Sequence, residues 1–212
     1  MNVARKKPVW IPPKIWEGET VFILGGGPSL LQSPLHLIHN ERVLGVNDAF
    51  TLGNWVDACY FGDCQWWEWN RNEFREEYGG LRMTSCQRLY NLTFIKTWKR
   101  GKPRGIETEP GHIAWNYNSG LSAINVAYHL GAVKIVLLGF DMKVNDKTQA
   151  ANWHTRYKRP PTPKIYKDKW LPCIPFIMKD ARTLGVDIVN ATIDTNISGD
   201  LIRKVKLEEC IL

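Results

Sequence analysis

Val21-Phe22-Ile23-Leu24-Gly25-Gly26-Gly27-Pro28-Ser29-Leu30 is the stretch on which the fold turns. Four apolar residues pass directly into three glycines, a proline and a serine, and then into the apolar positions of a helix. An apolar run that ends in glycines predicts a buried parallel strand whose loop brings backbone close to a ligand. Glycines there remove the Cβ atoms that block approach, and they permit positive φ in the turn. Amides of the turn and of the next helix's first residues would then face an anion such as a phosphate. A tight βα turn without a ligand fits the same residues, so the rest of the chain has to decide.

Outward from this stretch the same logic repeats. Arg42–Asn47 and Ala58–Asp63 read as strands that deliver Asn47 and Asp63 to the ligand-binding edge of a parallel sheet. Asn118-Ser119-Gly120 opens a helix over 121–130, with Asn118 or Ser119 as its cap and Gly131 as its stop. Val133–Leu138 is the strongest strand pattern and ends in Gly139-Phe140-Asp141. Further helices are expected over 30–40, with Pro34 as a point of breakage, over 66–77 and over 175–184, and further strands over 92–97 and 186–189. Strand–helix alternation of this kind predicts an α/β fold, a doubly wound and mainly parallel sheet covered on both faces. The expected organisation is an arm over 1–20, one domain over 21–195 and a tail over 196–212. Inside the domain, 145–170 is long, cationic and proline-rich, as an active-site loop or lid would be.

Composition narrows the classes. The 212 residues carry a net charge of +7, which favours phosphorylated or polyanionic ligands, nucleic acid among them. No apolar run is long enough to span a membrane, and Met1–Lys14 lacks the apolar core of a signal peptide. Five scattered cysteines without a Cys-x-x-Cys pair argue against structural zinc and a disulfide framework, and suit a reducing cytoplasm. Trp66, Trp67, Trp69, Trp153 and Trp170 fit a core, an oligomer contact or the wall of a sugar or base site, and a homo-oligomer is expected. No P-loop and no helix-turn-helix, RNP or zinc-finger signature is present.

In order along the chain, Gly25–Leu30, Gly45–Asn47, Asn118–Gly120 with Ala123 and Ala127, and Leu137–Asp141 together resemble one superfamily. It contains the family 42 sialyltransferases, the motility-accessory-factor domain and the 6-hydroxymethylpterin pyrophosphokinases. Phage and prophage proteins termed norphogenetic look most alike. The resemblance implies a Rossmann-like fold of glycosyltransferase-A type in a phage or prophage protein of a bacterial host. It implies nucleotide contacts at Gly25, Gly26, Ser29, Asn47, Ser119 and Gly120, and His154 as general base. Gly27, Asp63, Asn118 and Lys143 complete the expected nucleotide site, and Asp141 joins His154 as a catalytic candidate. Two family features are missing. No arginine precedes Ser119-Gly120, and Met142 and Lys143 stand where tyrosines meet the donor phosphate.

The resemblance implies transfer from a nucleotide-activated sugar of CMP type, and no resident cofactor or metal is firmly implied. A neutral His154 imidazole could take the acceptor's proton, and His112 is the second choice. An alternative is ATP-dependent pyrophosphoryl transfer, with Mg²⁺ on Asp63 or Asp141. A third is a non-catalytic protein that binds nucleotide or nucleic acid.

Overall fold

A computed structural model describes residues 10–211. β1 (Thr20–Leu24), β2 (Arg42–Val46), β3 (Ala58–Phe61), β4 (Leu81–Thr84) and β5 (Lys96–Thr97) form one half of the main sheet. A small two-stranded sheet, β6 (Lys99–Arg100) with β7 (His112–Ile113), stands beside it. β8 (Lys134–Leu138) and β9 (Asp187–Asn190) complete the main sheet in the order β5-β4-β3-β2-β1-β8-β9, with every neighbouring pair parallel. The chain leaves β1 toward one edge and later returns to β8 on its other side. The topological switch point therefore lies between the strand ends at Leu24 and Leu138, which are paired in register.

Alternation along the strands divides the core into two layers. Val21, Ile23, Leu44, Tyr60, Ile135 and Leu137 face α2 (Ser119–His129) and α3 (Ile174–Leu184). Phe22, Leu24, Val43, Phe61, Val136 and Leu138 face the opposite way, toward α1 (Cys64–Glu76). With both faces buried, neither set of positions needs polar residues, which explains the unbroken apolar runs. Under α1 the second layer is aromatic. Phe74 packs edge-on against Phe50, Phe61 and Trp66 and stacks on Tyr78. Trp66, Trp67 and Trp98 are core residues, and Trp10 packs edge-on against Trp98.

The helix ends follow from local chemistry. Asp63 caps α1 by accepting the Gln65 amide, and Asn118 caps α2 by accepting the Leu121 amide. Gly185 ends α3 at φ 70, a left-handed position that suits glycine.

Several expectations are corrected. The helix expected over 30–40 is two short 3-10 turns, Pro28–Gln32 and Leu35–Ile38, because Pro34 denies the backbone a continuous helix. β4 lies at Leu81–Thr84, where an arginine interrupts the apolar run, and the expected strand over 92–97 shrinks to Lys96–Thr97. In the tail, Ile202, Leu207 and Cys210 are buried, and the short helical turn is at Leu207–Cys210. Cys64 and Cys86 form a disulfide, contrary to the reading from cysteine spacing. The parallel strands β3 and β4 end side by side, so residues 22 apart in sequence meet with Cα atoms 5.2 Å apart. Residues 1–9 of the expected arm lie outside the described residues. Among the described residues no helix is long and apolar enough to cross a membrane.

Phe74→Ala should destabilise the protein by about 3–5 kcal/mol, because the ring is fully buried among four aromatic partners. Urea unfolding monitored by circular dichroism checks this; a loss below about 1 kcal/mol would show that the aromatic layer is not close-packed.

Candidate nucleotide cleft

At the carboxyl edge of the sheet, the switch point opens into a cleft of about 740 Å³. Gly25, Gly26 and Gly27 from the β1 loop, Asn47 after β2 and Asp63 after β3 line it together with Asn118, Ser119 and Gly120 at the start of α2. Asp141 and Lys143 after β8 also line it. Ser29 stands behind the lining and reaches it through Asp141. Trp170, a candidate wall residue from the sequence, lines it, whereas Tyr60, Ser85, Arg100, Trp115, Tyr157, Arg159, Tyr166 and Lys169, which also line it, were not singled out individually. The tyrosines and tryptophans give no periodic signal, and Ser85 follows a strand that was not anticipated.

The glycines have a different task from the one expected. None of Gly25, Gly26 and Gly27 has positive φ. A Cβ on Gly25 would sit 2.5 Å from the Gly139 carbonyl oxygen; one on Gly27 would meet that oxygen at 2.7 Å and collide with the Asp141 carboxylate. These two glycines let the β1 loop lie against the β8 loop. Gly26 alone stands free of that contact, its nearest neighbour being the Asn152 side chain. Because a short 3-10 turn follows the glycines, no helix N-terminus stands behind them. The helix ends that do reach the cleft belong to α2, to α1 and to the helical turn that starts at Pro163. The α2 end is the better anion site, since the Asp63 carboxylate already occupies the end of α1.

Asp141 is 3% exposed and accepts both the amide (2.9 Å) and the hydroxyl (2.8 Å) of Ser29. Burial raises its pKa, and the two Ser29 bonds oppose the rise. Its oxygens join the two loops across the switch point. Lys143 is bound to Asp194 at 2.7 Å, and that bond raises its pKa. Asn47 adopts left-handed φ 54, and its buried side-chain oxygen has no partner. An unpaired buried acceptor on a cleft wall is a place for a ligand donor.

His154 does not stand in the cleft wall. The chain from Asn152 to Tyr157 docks on the body: the Trp153 amide donates to Gly26 O at 3.0 Å, and its indole donates to Gly25 O at 3.2 Å. His154 is turned inward, with Nε2 3.5 Å from Asp48 and Nδ1 buried and unpaired. Asp48 is 1% exposed and also accepts from the Trp66 indole (2.7 Å) and Arg156 Nε (2.9 Å). Arg156 continues to Asn70 and Glu73 and lies over the Phe50 ring. His112 is likewise absent from the lining and sits near Glu109. Asp63 keeps one oxygen on its cap bond and turns the other toward Tyr157 Oη at 3.4 Å. Burial raises the pKa of Tyr157, and the nearby carboxylates add to the rise.

The charged lining consists of Arg100, Lys143, Arg159 and Lys169 against Asp63 and Asp141. The excess of cations suits an anionic ligand. Arg100 also fixes the wall by donating to Gly62 O at 2.6 Å. Among the described residues no three His, Cys, Asp or Glu side chains gather as a metal-binding group.

Burial lowers the pKa of His154, with Asp48 opposing and Arg156 reinforcing, and burial likewise lowers that of His129. Both therefore bind protons more weakly folded than unfolded, so stability falls as pH drops through and below the ordinary imidazole value of 6.5. Chemical denaturation at pH 7.5 and 5.5 should show this loss, with a smaller loss in His154→Gln. Asp48→Ala should destabilise by about 3 kcal/mol, since it leaves the Trp66 indole and Arg156 Nε without their buried acceptor. An Asp48→Ala protein as stable as the parent would show that this cluster does not secure the loop.

No protein-family model matches the sequence, and no curated protein is detectably similar. Among solved structures, the chain is similar to the sialyltransferase CstII from Campylobacter jejuni in complex with a substrate analogue, cytidine-5'-monophosphate. The two are 14% identical with a TM-score of 0.55, and the match covers 88% of this chain and 84% of the other. The likeness establishes a sialyltransferase-like α/β fold.

Proposed function

We propose that the chain transfers a sugar from a nucleotide-activated donor seated in the switch-point cleft, with a CMP-type nucleotide as the leaving group. The observation that carries this reading is convergence. Gly26, the unpaired Asn47 oxygen and the start of α2 come from separate βα units, yet they line one cleft whose charged groups are mainly cationic. A phosphate fits the α2 end, and Asn47 can accept from a base amino group or a ribose hydroxyl. The fold shared with a protein solved in complex with CMP supports the choice of nucleotide.

Transfer also needs a group that takes the acceptor's proton. The buried position of His154 against Asp48 suits a loop-positioning residue. Asp63 lines the cleft with one oxygen on its cap bond and the other in a long contact, 3.4 Å from Tyr157 Oη, and we assign it the base role. Asp141 acts as a positioning residue through Ser29.

Thermal-shift measurements with CMP, UDP and ATP, each with and without Mg²⁺, test the nucleotide. Saturating CMP without metal should stabilise the protein by about 2–4 kcal/mol. Stabilisation only by ATP with Mg²⁺ would replace this reading with pyrophosphoryl transfer, and no response to any nucleotide would remove both. With turnover in hand, Asp63→Asn should lower kcat by about a hundredfold or more while leaving CMP affinity intact. If His154→Ala abolishes turnover and Asp63→Asn does not, the base is His154.

A further inference from the structure

A second concavity, of about 370 Å³, lies between α1 and the chain around Arg88–Phe94 and shares no residue with the cleft lining. Trp67, Leu92 and Phe94 form its apolar part, with the Trp67 and Phe94 rings tilted 38° to each other at 6.2 Å. Its charged groups are Arg71, Arg75 and Arg88, and neither a carboxylate nor a lysine lines it.

Folding alone gives little reason for this grouping. Arg71 and Arg75 are spaced i, i+4 on α1, where like charges disfavour the helix. Arg71 has an exposed pair with Glu68 at 3.5 Å, the kind of contact that contributes little. Among the described residues, Arg75 and Arg88 take part in no ion pair. The Arg75 guanidinium lies 5.5 Å from the Phe94 ring centroid, so its direction is set before any ligand arrives. The Cys64–Cys86 disulfide ties the start of α1 to the residue two before Arg88, which fixes one wall against the other. Guanidinium groups offer paired donors that match phosphate oxygens, and aromatic and apolar surfaces accept the face of a base.

We propose that this groove binds a nucleoside phosphate, either as a free nucleotide or as one unit of a single strand, with the base on the Leu92–Phe94 surface and the phosphate on the arginines. The site is independent of the transfer reaction assigned to the cleft.

Fluorescence anisotropy of a labelled oligothymidylate with the full chain tests the strand, and isothermal titration calorimetry with AMP tests the free nucleotide. For a strand, Arg75→Ala/Arg88→Ala should weaken binding by roughly tenfold or more and reduce the slope of log K against log salt by about 0.7. For a free nucleotide, AMP should bind the parent and lose roughly tenfold in affinity in the same variant. The CMP-induced thermal shift should be unchanged in the variant, which separates this groove from the cleft. Binding of strand and AMP by the variant as tight as by the parent would overturn the proposal. So would failure of the parent to bind either at low salt. A variant with a lowered melting temperature is replaced by Arg88→Ala alone, which leaves α1 untouched and should still weaken binding measurably.

Discussion

The close approach of two loops across the switch point is the constraint on which the rest depends. In a doubly wound sheet, β1 and its neighbour on the far side diverge in connectivity, and the space between their ends is where a ligand fits. Here that space is bounded by backbone meeting backbone. Gly25 and Gly27 lie against Gly139 at distances that no side chain would survive, and Ser29 closes the contact through Asp141. The buried carboxylate is tolerated because hydrogen bonds compensate its desolvation. Once these loops are fixed, Asn47 and the start of α2 fall into place around the same opening.

A second set of contacts determines what the opening presents. Asp48 gathers Trp66, His154 and Arg156, and Arg156 extends to Asn70 and Glu73 on α1. The result pins the long polar loop onto the glycine loop through Trp153. His154 is therefore part of the fastening, and the titratable groups that line the cleft include Asp63, Asp141, Tyr157, Tyr166, Lys143 and Lys169. The cationic wall from Arg100 to Lys169 gives the cleft its charge preference without an arginine immediately before Ser119.

Much of the architecture was legible because apolar runs and glycine stops are local signals. Val21–Leu24, Arg42–Val46, Ala58–Phe61 and Lys134–Leu138 all form strands, and their polar followers line one cleft. Long-range chemistry was less visible. Nothing adjacent in sequence says that Gly27 yields to Asp141, that His154 turns toward Asp48, or that Cys64 meets Cys86. Each depends on which strand ends become neighbours, and spacing along the chain does not encode that. The single arginine in Leu81–Thr84 hid β4, because its guanidinium escapes the sheet to bond the carbonyls at Phe74 and Arg75.

The disulfide has a mechanical consequence. Cys64 belongs to the cleft wall, while Trp67 lies one helical turn further along α1 and Arg88 two residues beyond the other sulfur. A covalent tie at this point makes the edge of the cleft and the end of the arginine groove a single stiff strut. The two recesses therefore lie on one frame, built from α1 and this bond.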